Sequence, residues 1–438
     1  MSAGILERLF RLQEHKTTVR MEIVAGITTF MAMSFIIFVN PGILAEAGMP
    51  KDAAFVATIL AAVAGTLFMG LGVNLPIAMA PGMGINAFFV YTVVLGMGMS
   101  WQTALGCVVV SGVAFLILTV THIRELIVRA VPLNLKLATV AGIGFFIAFI
   151  GLEGAGIVVN NEATLLSLGD MTKPTTLLSC AGFLLMGVLM ACKVRGAILI
   201  GILGITVLGM VTGAGPVPHG IDDVVSFSVP SIAPIFMQLD IRGAIAYGLI
   251  SVLFTMTMVD LFDSLSSIIG LAKKAGFIDE NNNIPKLNAV LLADSLSITL
   301  CGFLGSSGTT MYMESATGIA EGGRTGLTAV TVAVLFLLSL FFAPLISVIQ
   351  TYATAPALIL VGCLMMQELS DINFKDLSEG LPAFLTIMAM PLTYSIATGF
   401  GVGFISYALI KTLCGRGREV GITMWVIAAC FAVNFVLR

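Results

Sequence analysis

The stretch "TALGCVVVSGVAFLILTV", residues 103–120, carries no charged side chain, and runs of this kind recur along the whole chain. A hydrocarbon core about 30 Å thick takes roughly 20 apolar residues to cross as a helix. Backbone groups inside lipid need internal partners, so such runs form helices unless they alternate as barrel strands do. These runs do not alternate. Of 438 residues, 58% are hydrophobic and 10% charged. A water-soluble domain carries roughly 25% charge, so this chain lacks the means to cover a wet surface. It reads as an all-α polytopic membrane protein.

Reading apolar runs between punctuators predicts spans near 21–46, 52–71, 76–95, 98–120, 132–153, 175–192 and 196–213. After a Pro-rich loop at 214–240 come spans near 241–264, 285–303, 308–322, 325–349, 354–369, 379–391 and 395–413. The organisation is a cytoplasmic segment 1–20, a first unit 21–213, an external loop 214–240, a second unit 241–413 and an apolar C-terminal segment 414–438. The stretch 421–438 reads as a fifteenth span or an interfacial helix, with a helix lying against the bundle favoured. Seven spans per unit is an odd number, so two copies insert in opposite orientations; fourteen spans then form a 7+7 inverted repeat.

Orientation follows from Lys and Arg in short loops. Arg8, Arg11, Lys16 and Arg20 put the N-terminus inside, and Arg124, Arg129, Lys136, Lys193, Arg195, Lys273, Lys274, Lys286, Arg324, Lys411, Arg416 and Arg418 fall on the same side. Residues 1–20 hold no apolar signal region, so the first span directs insertion. A net charge of −3 suggests no nucleic-acid partner. The seven cysteines lack metal or disulfide-framework spacing, and His15, His122 and His219 fall in predicted loops. No metal and no cofactor is expected.

Two spans are interrupted at corresponding positions of the two units. "NLPIAMAPGMGINAFFVYTVV", residues 74–94, is broken by Pro81, Gly82 and Gly84. "GSSGTTMYMESATGIAEGGRTGLTA", residues 305–329, is broken by Gly305, Gly308, Gly318, Gly322 and Gly323. Paired broken spans are the sequence sign of a transporter's binding site. Each reads as a short extended stretch followed by a half-helix, whose free N–H groups carry partial positive charge. Asn86 falls in the first turn of one half-helix and Glu314 near the start of the other, with Met313 beside it.

A third contributor is "FTMTMVDLFDSLSSIIG", residues 254–270, where Asp260 and Asp263 share one helix face and Ser264, Ser266 and Ser267 follow. Ionisable groups at membrane depth cost about 2.5–3.5 kcal/mol on insertion scales and persist where they face a cavity, a partner or a substrate. Apart from Arg324, which falls in the loop after the second half-helix, no basic residue lies within these segments. Clustered carboxylates without a cation favour sharing a proton, which suits proton coupling. A carboxylate also accepts from two adjacent N–H groups, and Asn86 both donates and accepts, so a small ligand rich in donors fits better than an inorganic anion.

"GINAFF", "VDLFDS" and "TTMYMESATGIAEGGRTGLTA" resemble the AzgA-type purine permeases, relatives of the nucleobase–ascorbate transporters. The likeness extends over almost the whole chain, through "EHKTTVRMEIVAGITTFMAM" and "ATAPALILVG". The resemblance implies a uracil-permease-like fold in which a core domain moves against a gate domain. It implies import of hypoxanthine, guanine or adenine by proton symport across the cell membrane, with a homodimer allowed. It also implies that Glu314, Asp260 and Asn86 bind the purine, that Gly84 leaves room for it and that Asp263 lies close by. The acids Asp260, Glu314 and Asp263 would carry the proton, and Phe30 could stack on the base. The run "SLSS" departs from the Thr-x-Gly-Thr pattern that follows the second Asp in many members, and the intact "GINAFF" is more similar to the hypoxanthine/guanine branch.

Two other classes compete. "DLFD" resembles the magnesium-binding pair of intramembrane prenyltransferases, but those need a second acidic motif. The candidates here, Asp279 with Glu280 and Asp371 with Asp376, fall in loops. An anion carrier of the same fold would want a Ser- or Arg-lined centre rather than Glu314 and Asp260. A transporter rather than an enzyme is expected, and no residue is read as catalytic. Gly26, Gly106, Gly142, Gly144 and Gly151 read as helix-packing positions, Glu153 and Glu162 as solvated, and Arg324 as a helix-end anchor.

Overall fold

The computed structural model describes residues 5–121, 130–218, 220–248, 251–275 and 286–437. His122, His219, Arg124, Arg129, Asp279 and Glu280 lie outside the described residues. A short helix α1 (Ile5–Phe10) precedes α2 (Val19–Met33), whose first turn is capped by the Thr18 hydroxyl. The first expected span breaks at Ser34–Phe35 and continues as α3 (Ile36–Glu46), with Pro41 inside it. Next come α4 (Lys51–Leu67), which loosens into a π-helical stretch to Val73, strand β1 (Met79–Pro81) and α5 (Met83–Ala87) with its π-helical continuation to Gly96. Helices α6 (Trp101–Val120) and α7 (Leu133–Gly154) follow, then a hairpin β2 (Val158–Asn161)–β3 (Leu165–Leu168), α8 (Pro174–Ala191) and α9 (Ala197–Val211).

The second half opens with α10 (Ile241–Gly248) and α11 (Ser251–Ala275), then α12 (Leu287–Leu304), β4 (Thr309–Met311) and α13 (Ser315–Ala320). It goes on through α14 (Gly326–Ser339), α15 (Leu345–Val348), α16 (Thr351–Met365), α17 (Leu377–Leu392), α18 (Ile396–Leu413) and α19 (Ile422–Leu437). Among the described residues, eight helices are long and apolar enough to cross a membrane, with shorter apolar helices beside them.

Three features differ from the sequence reading. Helix α11 runs to Ala275 rather than 264, so Lys273 and Lys274 stand on its last turn instead of in a loop. The β2–β3 hairpin lies outside the broken spans, where only polar loop was expected. The span expected at 325–349 is divided, with a 3₁₀ turn at Leu340–Phe342 between α14 and α15. The C-terminal helix packs on neighbouring helices: the Phe431 ring lies 5.1 Å from Phe254 of α11 and 5.7 Å from Phe404 of α18, centroid to centroid.

The helices sort into two packed groups. Helices α7, α8, α9, α16, α17 and α18 pack mainly on one another, while α2, α4, α6, α12 and α14 surround β1, β4 and the helices that follow those strands. The second group is tied by carboxylates at helix starts. Glu22, in the first turn of α2 and fully buried, accepts from Arg324 N (2.9 Å), Thr325 N (3.2 Å), Thr328 N (3.2 Å) and Thr328 Oγ1 (2.6 Å), which covers the start of α14. These are the donors a helix start leaves unbonded. Asp240, just before α10, ties that helix start to the start of α6: it accepts from Thr103 Oγ1 of α6 at 3.1 Å and from Gly243 N of its own helix α10 at 2.8 Å. The two helix starts read "SWQTA" (100–104) and "TGLTA" (325–329), so both place a hydroxyl residue at the cap and a Thr three positions on. Replacing Glu22 by Ala orphans several buried donors and is expected to destabilise the protein by about 2–3 kcal/mol. A thermal melt in detergent checks this, and the exposed Glu14→Ala should leave the melting temperature unchanged.

Candidate functional site at two half-helices

The two interrupted spans meet inside the protein. Strands β1 and β4 are fully buried and pair antiparallel, with Met79 opposite Met311, Ala80 opposite Thr310 and Pro81 opposite Thr309. The ladder is extended by Gly82 N donating to Gly308 O at 2.9 Å and Tyr312 N donating to Ala78 O at 3.0 Å. Gly308 has φ +124°, a conformation side-chain-bearing residues rarely adopt. Side chains from neighbouring helices satisfy groups that the pairing leaves over. Thr66 of α4 bonds both N and O of Met79, each at 2.9 Å, and Ser297 of α12 bonds Thr309 Oγ1 at 2.5 Å. Ser315 Oγ accepts from Ala78 N at 3.0 Å, and Tyr312 Oη donates to Pro81 O at 2.7 Å.

Because the strands run in opposite directions, α5 and α13 leave the crossing in opposite directions and their N-termini lie near one another. Glu314 is the N-cap residue of α13, and Asn86 stands in the first turn of α5, as the sequence reading expects. Asn86 is fully buried, and among the described residues neither its Nδ2 nor its Oδ1 has a hydrogen-bond partner. Burying an amide without a bond costs about 1–3 kcal/mol judged from mutational data, so such a group calls for a partner.

Asp260 of α11 is 2% exposed and lies close enough to Cys301 for their charges to interact. Asp263, one turn on, accepts from the Thr310 side chain of β4 and interacts electrostatically with Asp294. Tyr312 feels both Glu314 and Asp263. Four acids therefore gather around β4: Asp260, Asp263, Glu314 and Asp294 of α12. The sequence reading missed Asp294, which is fully buried. Its signal was a single acid inside the apolar run "NAVLLADSLSITL", residues 288–300, which is the mark of a functional intramembrane group.

The remaining candidates are placed differently. A Cβ added at Gly84 would stand 2.9 Å from Ile143 Cγ2 of α7, so this glycine admits a helix of the other packed group. Met313 is 37% exposed and lies over Gly270 of α11, where its Cε would be 2.7 Å from an added Cβ. Phe30 meets Phe336 of α14 edge-on, with centroids 5.2 Å apart. Glu153 and Glu162 are exposed, and Arg324 donates to Ile319 O (2.7 Å) and Gly323 O (2.8 Å) at the end of α13. A cavity of about 570 Å³ lies elsewhere, at the ends of α7, α8, α9 and α16, lined in part by Glu153, Asp170, Lys173 and Tyr352. Among the described residues no group of three or more His, Cys, Asp or Glu could hold a metal ion.

The permease family model matches residues 20–402. A putative permease of Methanocaldococcus jannaschii is 49% identical over 437 residues, covering 100% of this chain and 99% of the relative. The adenine permease AdeQ of Escherichia coli is 42% identical, covering 99% of this chain and 97% of the relative. The guanine/hypoxanthine permease PbuO of Bacillus subtilis is 43% identical, covering 98% of this chain and 100% of the relative. Among solved structures, the transmembrane domain of a cyanobacterium bicarbonate transporter, BicA, superimposes with a TM-score of 0.63 at 14% identity, over 86% of this chain and 97% of that one. That likeness concerns the fold.

The contact at Gly84 gives a test of its role. Gly84→Ala should overpack the contact with α7, at a cost of about 1–3 kcal/mol, and lower uptake of a labelled substrate into membrane vesicles. Adding Ile143→Ala should restore part of it. A Gly84→Ala variant that transports normally would contradict the packing.

Proposed function

This chain belongs to the permease family, and on that premise we propose that it imports purine nucleobases by proton symport, with the base held between the N-termini of α5 and α13. Support for the substrate class comes from relatives named as adenine and guanine/hypoxanthine permeases, which align with nearly the whole chain. The observation that carries the location is Asn86: a fully buried amide with both polar atoms unbonded among the described residues, on a half-helix whose counterpart has Glu314 at its N-cap position. A purine offers ring N–H donors and ring acceptors, the complement of a carboxylate and an amide. Glu314 and Asp260 accept from the base, Asn86 pairs with its polar edge, and the half-helix N–H groups receive its carbonyl oxygen.

The proton is carried by Asp260 and Glu314, with Asp263 near enough to exchange it. The gathering of Asp263 with Asp294 supports a shared proton, since adjacent carboxylates do not both ionise readily away from water. Phe30 and Met313 contribute to the pocket wall when the packed groups separate. A neighbour of the same fold carries bicarbonate, but a fold does not choose a substrate. A centre lined by acids repels the anions that such a carrier takes.

The finer architecture belongs to the same reading. Fourteen segments form two inverted units of seven, with a core bearing the half-helices and a gate that it moves against. Features that recur at equivalent places support this: paired strands β1 and β4, their supports Thr66 and Ser297, and the helix-start ties of Glu22 and Asp240. The N-terminus faces the cytoplasm in the cell membrane, and a homodimer is compatible with this reading.

The test is uptake of radiolabelled hypoxanthine by proteoliposomes with and without an inward proton gradient, competed by unlabelled guanine, adenine, uracil and xanthine. Gradient-driven uptake blocked by guanine, with adenine weaker, is expected. Glu314→Ala should abolish binding, and Asp260→Asn should uncouple uptake from the gradient. Wild-type uptake in both variants would refute the pocket, and adenine competing best would change the preferred base while keeping the mechanism.

A further inference from the structure

The two packed groups touch at two turns that occupy equivalent places in the two halves. The turn between α8 and α9 has Lys193 at φ 58°, and the turn between α17 and α18 has Tyr394 at φ 50°; both are left-handed positions without glycine. Each turn reaches across to the far end of an interrupted span. Arg195, in the first turn, forms an ion pair with Glu321, the residue that ends α13. Tyr394, in the second, meets the continuation of α5: its ring centroid lies 6.0 Å from that of Tyr91, and its carbonyl accepts from Thr92 Oγ1 at 3.2 Å.

The contacts lie on opposite faces. Glu321 neighbours Arg324, which is bonded to Glu22 at the start of α2, so the ion pair is on the N-terminal face. Tyr91 and Thr92 lie toward the other end of α5, near its junction with α6. Their chemistry differs as well. Arg195 and Glu321 are 56% and 31% exposed at the side chain, so solvent and salt screen their attraction. The opposite contact is an aromatic cluster: Phe146 and Phe149 of α7 pack edge-on to Tyr394 at 5.6 and 5.5 Å. Both tyrosine hydroxyls there are engaged, Tyr91 with Glu46 Oε2 at 2.9 Å and Tyr394 with Glu153.

We propose that Arg195–Glu321 and Tyr394–Tyr91 are the two latches of the transport cycle, one on each membrane face, and that they position the half-helices by opening one at a time. The inference rests on the reading that one packed group moves against the other as a purine crosses. Each latch holds the outer end of a half-helix whose inner end borders the acid cluster, so releasing a latch frees that half-helix and admits water from that face. The unequal chemistry sets the resting state. The screened ion pair yields first, and the aromatic cluster keeps the opposite face closed until a bound base changes the balance.

Spin-label distances test this without relying on transport. One pair, native Cys192 and a cysteine at Thr317, spans the ion-pair seam; a second, at Leu95 and Thr393, spans the aromatic seam, with the other cysteines replaced. Arg195→Glu should lengthen the first distance and leave the second unchanged, and the exchanged pair Arg195→Glu/Glu321→Arg should restore it. Tyr394→Ala should lengthen only the second, with Tyr394→Phe, which loses only the bond to Glu153, giving a smaller shift. High salt should widen the ion-pair seam alone. Unchanged distances in Arg195→Glu, failure of the exchanged pair to restore them, or widening of both seams together in either variant would overturn the proposal. If the variants behave as expected and hypoxanthine moves neither seam, the latches stand and the purine reading falls.

Discussion

Six residues of extended backbone buried in a membrane protein must find hydrogen bonds away from water, and they find them in each other. The antiparallel pairing of β1 with β4 is the interaction on which the rest of the site depends. Without it, the backbone of both interrupted spans would lie open in a medium where each unbonded group costs several kcal/mol. With it, the opposite strand directions oblige α5 and α13 to begin near one point and leave it on opposite sides. The supports follow from the same need. Thr66 and Ser297 come from helices at equivalent positions, and each bonds a residue at a strand end.

That pairing also explains why acids can be present at this depth. Glu314 stands where a half-helix offers partial positive charge, and Asp263 accepts from Thr310, a strand residue pointing at α11. Asp294 joins them from α12, which packs along β4. A site with four acids, and no Lys or Arg on the two strands and two half-helices at its centre, suits a ligand that brings N–H donors and a proton that travels with it. On the proposed reading, the anion-binding power of the half-helix starts is turned toward the carbonyl oxygen of a neutral base.

Much of this was legible in the sequence because it was written in local punctuation. Pro81, Gly82, Gly305 and Gly308 interrupt apolar runs, and the position of Asn86 and Glu314 relative to those breaks follows by counting. What stayed hidden was long-range or masked by context. The register of β1 on β4 joins residues more than two hundred positions apart, and no local pattern encodes it. Asp294 looked like an isolated acid because its partner, Asp263, lies on another helix. Glu22 stood beside the charged N-terminal segment and gave no hint that it covers the start of α14. The pair Lys273–Lys274 suggested a loop, yet α11 runs through both positions to Ala275. Gly84 was read as space for a ligand, and its geometry shows a close approach of α7 as well.

The central claim is that a purine sits where the two half-helices begin. A cryo-electron microscopy map of the protein with bound hypoxanthine tests it most directly. The account predicts density for the base between α5 and α13, within hydrogen-bond distance of Asn86 and Glu314. Density instead in the cavity of about 570 Å³ beside Lys173 and Tyr352, with the half-helix starts unoccupied, would contradict it.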